Sequence, residues 1–252
     1  MELVHVLYEK ADDAPLVTIT VNRPDKLTAL NHAVVADIHA AFVHAKADPD
    51  CAVVILTGAG PKAFVAGADI GELAVMSVLG AKKISHAGQA ALAAIENLGK
   101  PVIAMINGYA FGGGLETALA CHIRTMAEGT QIGLPEVGLG IVPGVGGTQR
   151  LPRVIGRGRA LEMILTGDPV DAETALRYGL VNRVAPAEEL RGVTEKLARR
   201  ILMRGQLAVG LALESTLRGT EASLEEGLRI EADNFGLVAS TKDMREGLNA
   251  FL

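Results

Sequence analysis

The chain has 252 residues, 49% of them hydrophobic and 21% charged, with a formal net charge of -5. That length buries a sizeable core in one large domain, or in a domain with an appended helical piece, without disulfides or metals. Basic residues are scattered, Trp is absent and aromatics make up 3%, which argues against a nucleic-acid surface and against platforms for stacking bases.

In chain order, the opening stretch "MELVHVLYEKADDAP" is neither a basic segment followed by an apolar run nor an Arg-rich leader, and no later apolar run approaches the ~18 residues of a membrane span. A cytoplasmic protein is expected. "LVTITV" at 16–21 reads as a strand, and the next element as a helix over 32–47, where Val34, Ile38, Phe42 and Ala45 recur at helical spacing. "AVVILTG" at 52–58 reads as a strand, "HAGQAALAAIENL" at 86–98 as a helix and "PVIAMIN" at 101–107 as a strand. Strands and helices that alternate in this way predict an α/β fold, and strands that are nearly all apolar predict cover on both faces. Beyond about residue 155 come successive helices, "GRALEMILTG", "DAETALRYG", "PAEELRGVTEKLARRILM", "QLAVGLALESTLRG" and "SLEEGLRIEADNFGLV", separated by Gly, Asp-Pro and Ala-Pro breaks. Cys51 and Cys121 sit far apart in apolar settings and read as buried free thiols, and the six histidines show no metal-ligand spacing.

The stretch "GYAFGGGLETALACH" at 108–122 places three glycines before a helix and sets Glu116 just inside it. A glycine run at a helix N-terminus lets another group approach unpaired N–H donors, and such a turn can receive an oxyanion. Taken alone, a glycine triplet more often marks a tightly packed turn. Here "KAFVAGADIGEL" at 62–73 supplies a second small-residue turn upstream. Downstream, "QIGLPEVGLGIVPGVGGTQRL" at 131–151 carries Glu136 directly after Pro135 in a nearly uncharged setting. A carboxylate in such surroundings is costly unless used or paired.

The segments "NRPDKLTALN", "KAFVAGADI", "NGYAFGGGLETALA", "LPEVGLGIVPGVGGTQRLPRVIG" and "REGLNAFL" resemble, in order and in spacing, those of the crotonase superfamily, and most closely the enoyl-CoA hydratases. The resemblance implies a spiral of ββα repeats over residues 1–190 with the active site, and a helical region over 191–252 that forms trimers or dimers of trimers. It also implies addition of water across the C2=C3 bond of a trans-2-enoyl-CoA, without metal or further cofactor, coenzyme A being part of the substrate. Ala68 and Gly113 match the two N–H donors to the thioester oxygen. Glu116 matches the carboxylate that activates water, and Glu136 the group that delivers a proton to C2. Lys26, Leu27, Ala29, Ala66, Asp69, Ile70 and Gly112 match positions along the CoA and acyl path; Arg23 and Lys26 are candidates for the CoA phosphates, Gly144 borders the water and Pro135 fixes the approach of Glu136. The chain departs from the pattern at Thr28, where Asn is usual, at His122, where Asp commonly follows the Cys, and at "AFL", where many relatives continue into a basic tail that helps bind CoA phosphate. The first two departures are expected to be structural and the third to weaken CoA binding. An isomerase of the same fold, a hydratase of a cyclic, aromatic-pathway or branched acid, and a binding module are the alternatives; isomerases usually lack an acid at the position of Glu116.

Overall fold

Residues 3–252 are described in the computed structural model of the chain. It opens with an antiparallel pair, β1 (Val6–Lys10) and β2 (Leu16–Val21). Next, α1 (His32–Ala47) crosses to β3 (Val53–Gly58), which pairs parallel to β2. The Asn31 side chain accepts from Val34 N and starts α1, and its buried stripe includes the expected Val34, Ile38, Phe42 and Ala45.

From β3 onward one pattern repeats: a strand in a large sheet, a three-residue strand in a small sheet, then a helix. The first round is β3, β4 (Ala63–Val65), α2 (Ile70–Leu73) and α3 (Val78–Glu96); the second is β5 (Val102–Ile106), β6 (Tyr109–Phe111) and α4 (Gly113–Ala120). The third is β7 (Ile123–Ala127), β8 (Gln131–Gly133), a 3-10 turn (Pro135–Leu139), α5 (Gly147–Ile155) and α6 (Arg157–Thr166). β9 (Val170–Asp171), α7 (Ala172–Tyr178) and β10 (Arg183–Ala185) complete the sheets. The large sheet runs β1-β2-β3-β5-β7-β10 and the small one β4-β6-β8-β9. Each round therefore advances one place in both sheets, and this is the α/β spiral of ββα repeats expected from the sequence.

Cover on both faces explains the apolar strands. On β3, Val54 and Leu56 enter the main core with Val34, Phe42 and Ile95, while Val53 and Ile55 face the other way and pack with Leu190 and Ala198 of α8 (Leu190–Leu202). The last helices are α9 (Gln206–Thr220), α10 (Leu224–Ala239) and α11 (Lys242–Phe251). α9 and α10 pack together, joined by Asn234 Nδ2 donating to Ser215 Oγ at 2.9 Å. Neither α9 nor α11 buries a residue, and Leu224, Leu228, Phe235, Leu248 and Phe251 are all exposed. Among the described residues no helix is long and apolar enough to cross a membrane.

Candidate active site

β4 and β6 lie side by side and parallel, so their C-terminal ends leave the small sheet together. Ala68 lies three residues beyond β4 and Gly113 two beyond β6. The segment after β4 is pinned by Leu30, whose N–H donates to Gly67 O at 2.8 Å and whose carbonyl accepts from Asp69 N at 2.7 Å. Both bonds bypass the N–H of Ala68. Gly113 is the first residue of α4, where an N–H has no intrahelical partner. Among the described residues neither N–H finds an acceptor, so the two expected oxyanion donors are available on adjoining segments. Gly114 makes this approach possible, because a Cβ there would run into the carbonyl oxygen of Val65.

Glu116, one turn into α4, is 2% exposed. Its Oε1 accepts from Val145 N at 2.8 Å and from Gly147 N at 2.7 Å. Burial raises its pKa above the ordinary value, opposed by these two N–H groups and by the charge of Arg150. Nothing in the residue types of Val145 and Gly147 marks them for this task. The signal present, "VPGVGG", shows that a backbone is open but not which N–H points where.

Glu136 rides the 3-10 turn that Pro135 begins. Its Oε2 is buried without a hydrogen-bond partner. Its pKa is pushed up to about 7, mainly by burial, with the Glu116 carboxylate adding to the rise. Gly112 has φ 53°, and a Cβ there would lie 2.9 Å from Glu136 Oε1; a Cβ on Gly113 would lie 4.0 Å from Glu116 Oε2. The two acids thus close on consecutive glycine α-carbons; burial favours the neutral form of both, and two backbone N–H groups oppose it at Glu116.

The expected CoA path is shaped by the loop after β2. Leu27 and Thr28 both have positive φ, 50° and 56°, a conformation that costs a branched or bulky residue of order 1–3 kcal/mol. It is held by the Thr28 hydroxyl, buried 2.6 Å from Leu27 O and 2.8 Å from Phe64 O, and by Ala66 N donating to Leu27 O at 3.1 Å. Lys26, Leu27 and Ile70 are exposed and Ala29, Ala66 and Asp69 half-buried around this junction. Arg23 does not reach outward toward a phosphate. Its guanidinium turns in, donating to Ala29 O at 2.8 Å and lying 3.6 Å from Asp69 Oδ2, because the loop's carbonyls need a donor. Gly144 is exposed, and its carbonyl accepts from Ser85 Oγ at 2.6 Å and Gln89 Nε2 at 3.1 Å of α3. His122 is a structural residue: its Nδ1 accepts from Val102 N at 2.9 Å and its Nε2 lies 3.1 Å from Glu96 O, while burial lowers its pKa and keeps the ring neutral.

Two open cavities of about 750 and 610 Å³ flank α9, lined respectively by residues such as Cys51, Lys100 and Leu211, and by His122, Leu197 and Val209. Neither touches Glu116 or Glu136. The paired acids lie instead against Gly112 and Gly113, at the start of α4. Among the described residues no cluster of His, Cys, Asp and Glu could hold a metal.

The family model for enoyl-CoA hydratase/isomerase matches residues 12–252. The chain is 43% identical to a crotonyl-CoA hydratase of Syntrophomonas wolfei and 40% identical to a short-chain-enoyl-CoA hydratase of Clostridium acetobutylicum, each over 100% of this chain and 96% of the relative. It superposes on a crystal structure of enoyl-CoA hydratase from Bacillus anthracis with a TM-score of 0.95 at 40% identity, covering 98% of this chain and 96% of the other.

Proposed function

From the premise that this chain belongs to the enoyl-CoA hydratase/isomerase family and is an enoyl-CoA hydratase, we propose that Glu116 and Glu136 divide the proton work and that Ala68 and Gly113 hold the thioester oxygen. The observation that carries this reading is the unlike settings of the two acids. Glu116 accepts two backbone N–H groups, which favour its ionised form against the rise that burial causes; Glu136 keeps a buried, unpartnered oxygen and a pKa pushed up to about 7. Glu116 takes a proton from water as the water oxygen bonds to C3. The C2=C3 π electrons move toward the carbonyl, and negative charge gathers on the thioester oxygen. The N–H groups of Ala68 and Gly113 stabilise that charge, and loss of one such donor costs roughly 10²–10³ in rate. Collapse of the enolate takes the proton from Glu136 to C2, giving the 3-hydroxyacyl-CoA, and proton exchange with solvent resets the pair.

A short-chain trans-2-enoyl-CoA is the substrate, a choice supported by the names of the two relatives 40–43% identical over the whole chain. Lys26, Leu27, Ala29, Ala66, Asp69 and Ile70 line the CoA path, with Lys26 the exposed cation for phosphate. Coenzyme A enters with the substrate, and no separate cofactor takes part. The spiral with its active site and the helical region after it work in a homotrimer or a dimer of trimers, which would cover the exposed apolar side chains of α10 and α11. A reducing compartment, the cytoplasm, suits the buried free thiols of Cys51 and Cys121.

The test is hydration of crotonyl-CoA and longer trans-2-enoyl-CoAs, followed by loss of the conjugated enoyl-thioester absorbance, in the wild type, Glu116→Gln and Glu136→Gln. Each substitution should lower turnover by roughly 10²–10⁴ while the fold survives. Full hydration by Glu116→Gln would remove Glu116 from the water step; an isomerase would instead tolerate Glu116→Gln and lose isomerisation only in Glu136→Gln. Sedimentation as a monomer at micromolar concentration would overturn the assembly.

A further inference from the structure

Glu116 is held by a loop, and that loop is itself held at one point. Val145, whose N–H donates to Glu116, accepts through its carbonyl from Arg150 Nη1 at 3.1 Å. The rest of the guanidinium forks onto Glu96 of α3, Nη2 to Oε2 at 2.8 Å and Nε to Oε1 at 3.3 Å. Space is reserved for it: Gly146 has φ 121°, and a side chain there would collide with Arg150 Nη1. Glu96 is anchored in turn at the end of α3, where its carbonyl meets His122 Nε2 at 3.1 Å.

We infer that Arg150, oriented by Glu96, is the positioning residue for Glu116: it fixes the Val145 peptide so that the neighbouring N–H groups meet the carboxylate at the geometry the water-activating step requires. A bidentate guanidinium–carboxylate pair is the side-chain arrangement best suited to hold one peptide plane against thermal motion. The guanidinium also places a positive charge near Glu116, which favours the ionised form. The inference rests on the reading of Glu116 as the base.

Besides Arg150, Glu136 on the 3-10 turn couples to Glu116; the elements packed against α4 carry Glu96 and the exposed Lys82, Lys83 and His86 on α3 and Arg153 on α5, the last paired outward with Glu221, while Arg124 of β7 donates to Ala118 O and Cys121 O at the far end of α4. β4 has no titratable residue, and β6 contributes only Tyr109, exposed at its edge.

A mere staple between α3 and α5 would change melting temperature alone; a positioning residue also moves the pH profile. The base must be ionised, so kcat/KM falls on the acid side as Glu116 takes up a proton. Removing the positive charge in Arg150→Met should move that limb to higher pH. Glu96→Gln, which leaves the guanidinium without its counter-charge, should move it to lower pH. Arg150→Met should also lower kcat by ~10-fold or more with KM changed less, since a small misplacement of a catalytic group costs rate rather than binding. Arg150→Lys keeps the charge without the fork and should hold the limb near its wild-type position while kcat stays low.

A folded Arg150→Met with wild-type kcat and an unmoved limb overturns the inference, as do limbs that move in the same direction in Arg150→Met and Glu96→Gln. Should Arg150→Met not fold, the nearly isosteric Glu96→Gln decides: an unmoved limb overturns the inference and a limb at lower pH supports it. Glu116→Gln, run alongside, separates the two failures. If it is inactive while the Arg150 variants behave as wild type, only the inference falls. If it is fully active, the reading of Glu116 as base falls with it.

Discussion

Replacing Glu136 by Gln should abolish most turnover and yet stabilise the protein at alkaline pH. Glu136 has a native pKa of about 7 against 4.5 for an unperturbed glutamate, so the native state holds its proton more tightly than the unfolded chain does. Stability therefore declines as pH rises from about 4.5 toward 7, because the unfolded state ionises first; above 7 both states are ionised and the full penalty stands. Each tenfold difference in proton affinity between the two states is worth ~1.4 kcal/mol, which sets an upper bound of about 3.5 kcal/mol. Glu136 is only partly buried, and solvent screening reduces this to about 1–2 kcal/mol. Gln cannot ionise and escapes the penalty, and its neutrality also relieves Glu116. Thermal melts of wild type and Glu136→Gln at pH 5 and pH 8, at matched protein concentration, isolate the effect, because any constant packing difference cancels. The mutant's advantage should grow by several degrees between the two pH values, a chain of this length shifting ~2–4 °C per kcal/mol. An equal difference at both would refute the assignment of a raised pKa to Glu136. In the wild type, kcat/KM should fall as pH rises through about 7, as the acid that serves C2 loses its proton.

Gly114→Ala should cost about 3 kcal/mol and most of the activity, because the new Cβ meets the Val65 carbonyl and two backbone segments cannot both give way; a melting temperature within a degree or so of wild type would contradict the packing. His122→Ala should lower stability by about 1–3 kcal/mol by orphaning Val102 N–H while leaving the pH dependence of kcat/KM in place; a moved limb would give His122 a part in the chemistry. A crotonyl thioester of N-acetylcysteamine should be hydrated ~10²-fold or more less efficiently than crotonyl-CoA, since binding energy from the remote nucleotide is drawn on at the reacting carbons; equal efficiency would remove Lys26 and its neighbours from the CoA path.

The elements legible in the sequence are those that bury long apolar faces. The strand at 16–21 and the helix at 32–47 coincide with β2 and α1, since one is nearly all apolar and the other keeps a regular stripe. α3 begins at Val78 rather than near 86, because Ser77 caps Gly80 N at 3.1 Å while the first two turns are exposed and carry no apolar rhythm. β4, β6 and β8 have three residues each, too few for any period to register. Yet β4 and β6 lead into the segments of Ala68 and Gly113, and β8 into the turn that carries Glu136. The acids are visible because a carboxylate in an apolar run stands out; the Arg150–Glu96 fork is not, because 54 residues separate its members and each alone looks like an ordinary surface charge.

Residue type does not decide which glutamate does what. Both acids are removed from water, and burial raises the pKa of both. What separates them is the supply of backbone donors. The loop at 145–147 turns two N–H groups onto Glu116, whereas the 3-10 turn offers Glu136 Oε2 none. On the proposed division the reverse reaction uses the same pair: Glu136, ionised, would remove the proton at C2 and Glu116, protonated, would release water from C3. The glycines belong to this division as well. A side chain at Gly112 would stand 2.9 Å from Glu136 Oε1, and one at Gly113 would reach Leu30 at 3.1 Å, so the backbone at 112 and 113 stays bare beside both acids.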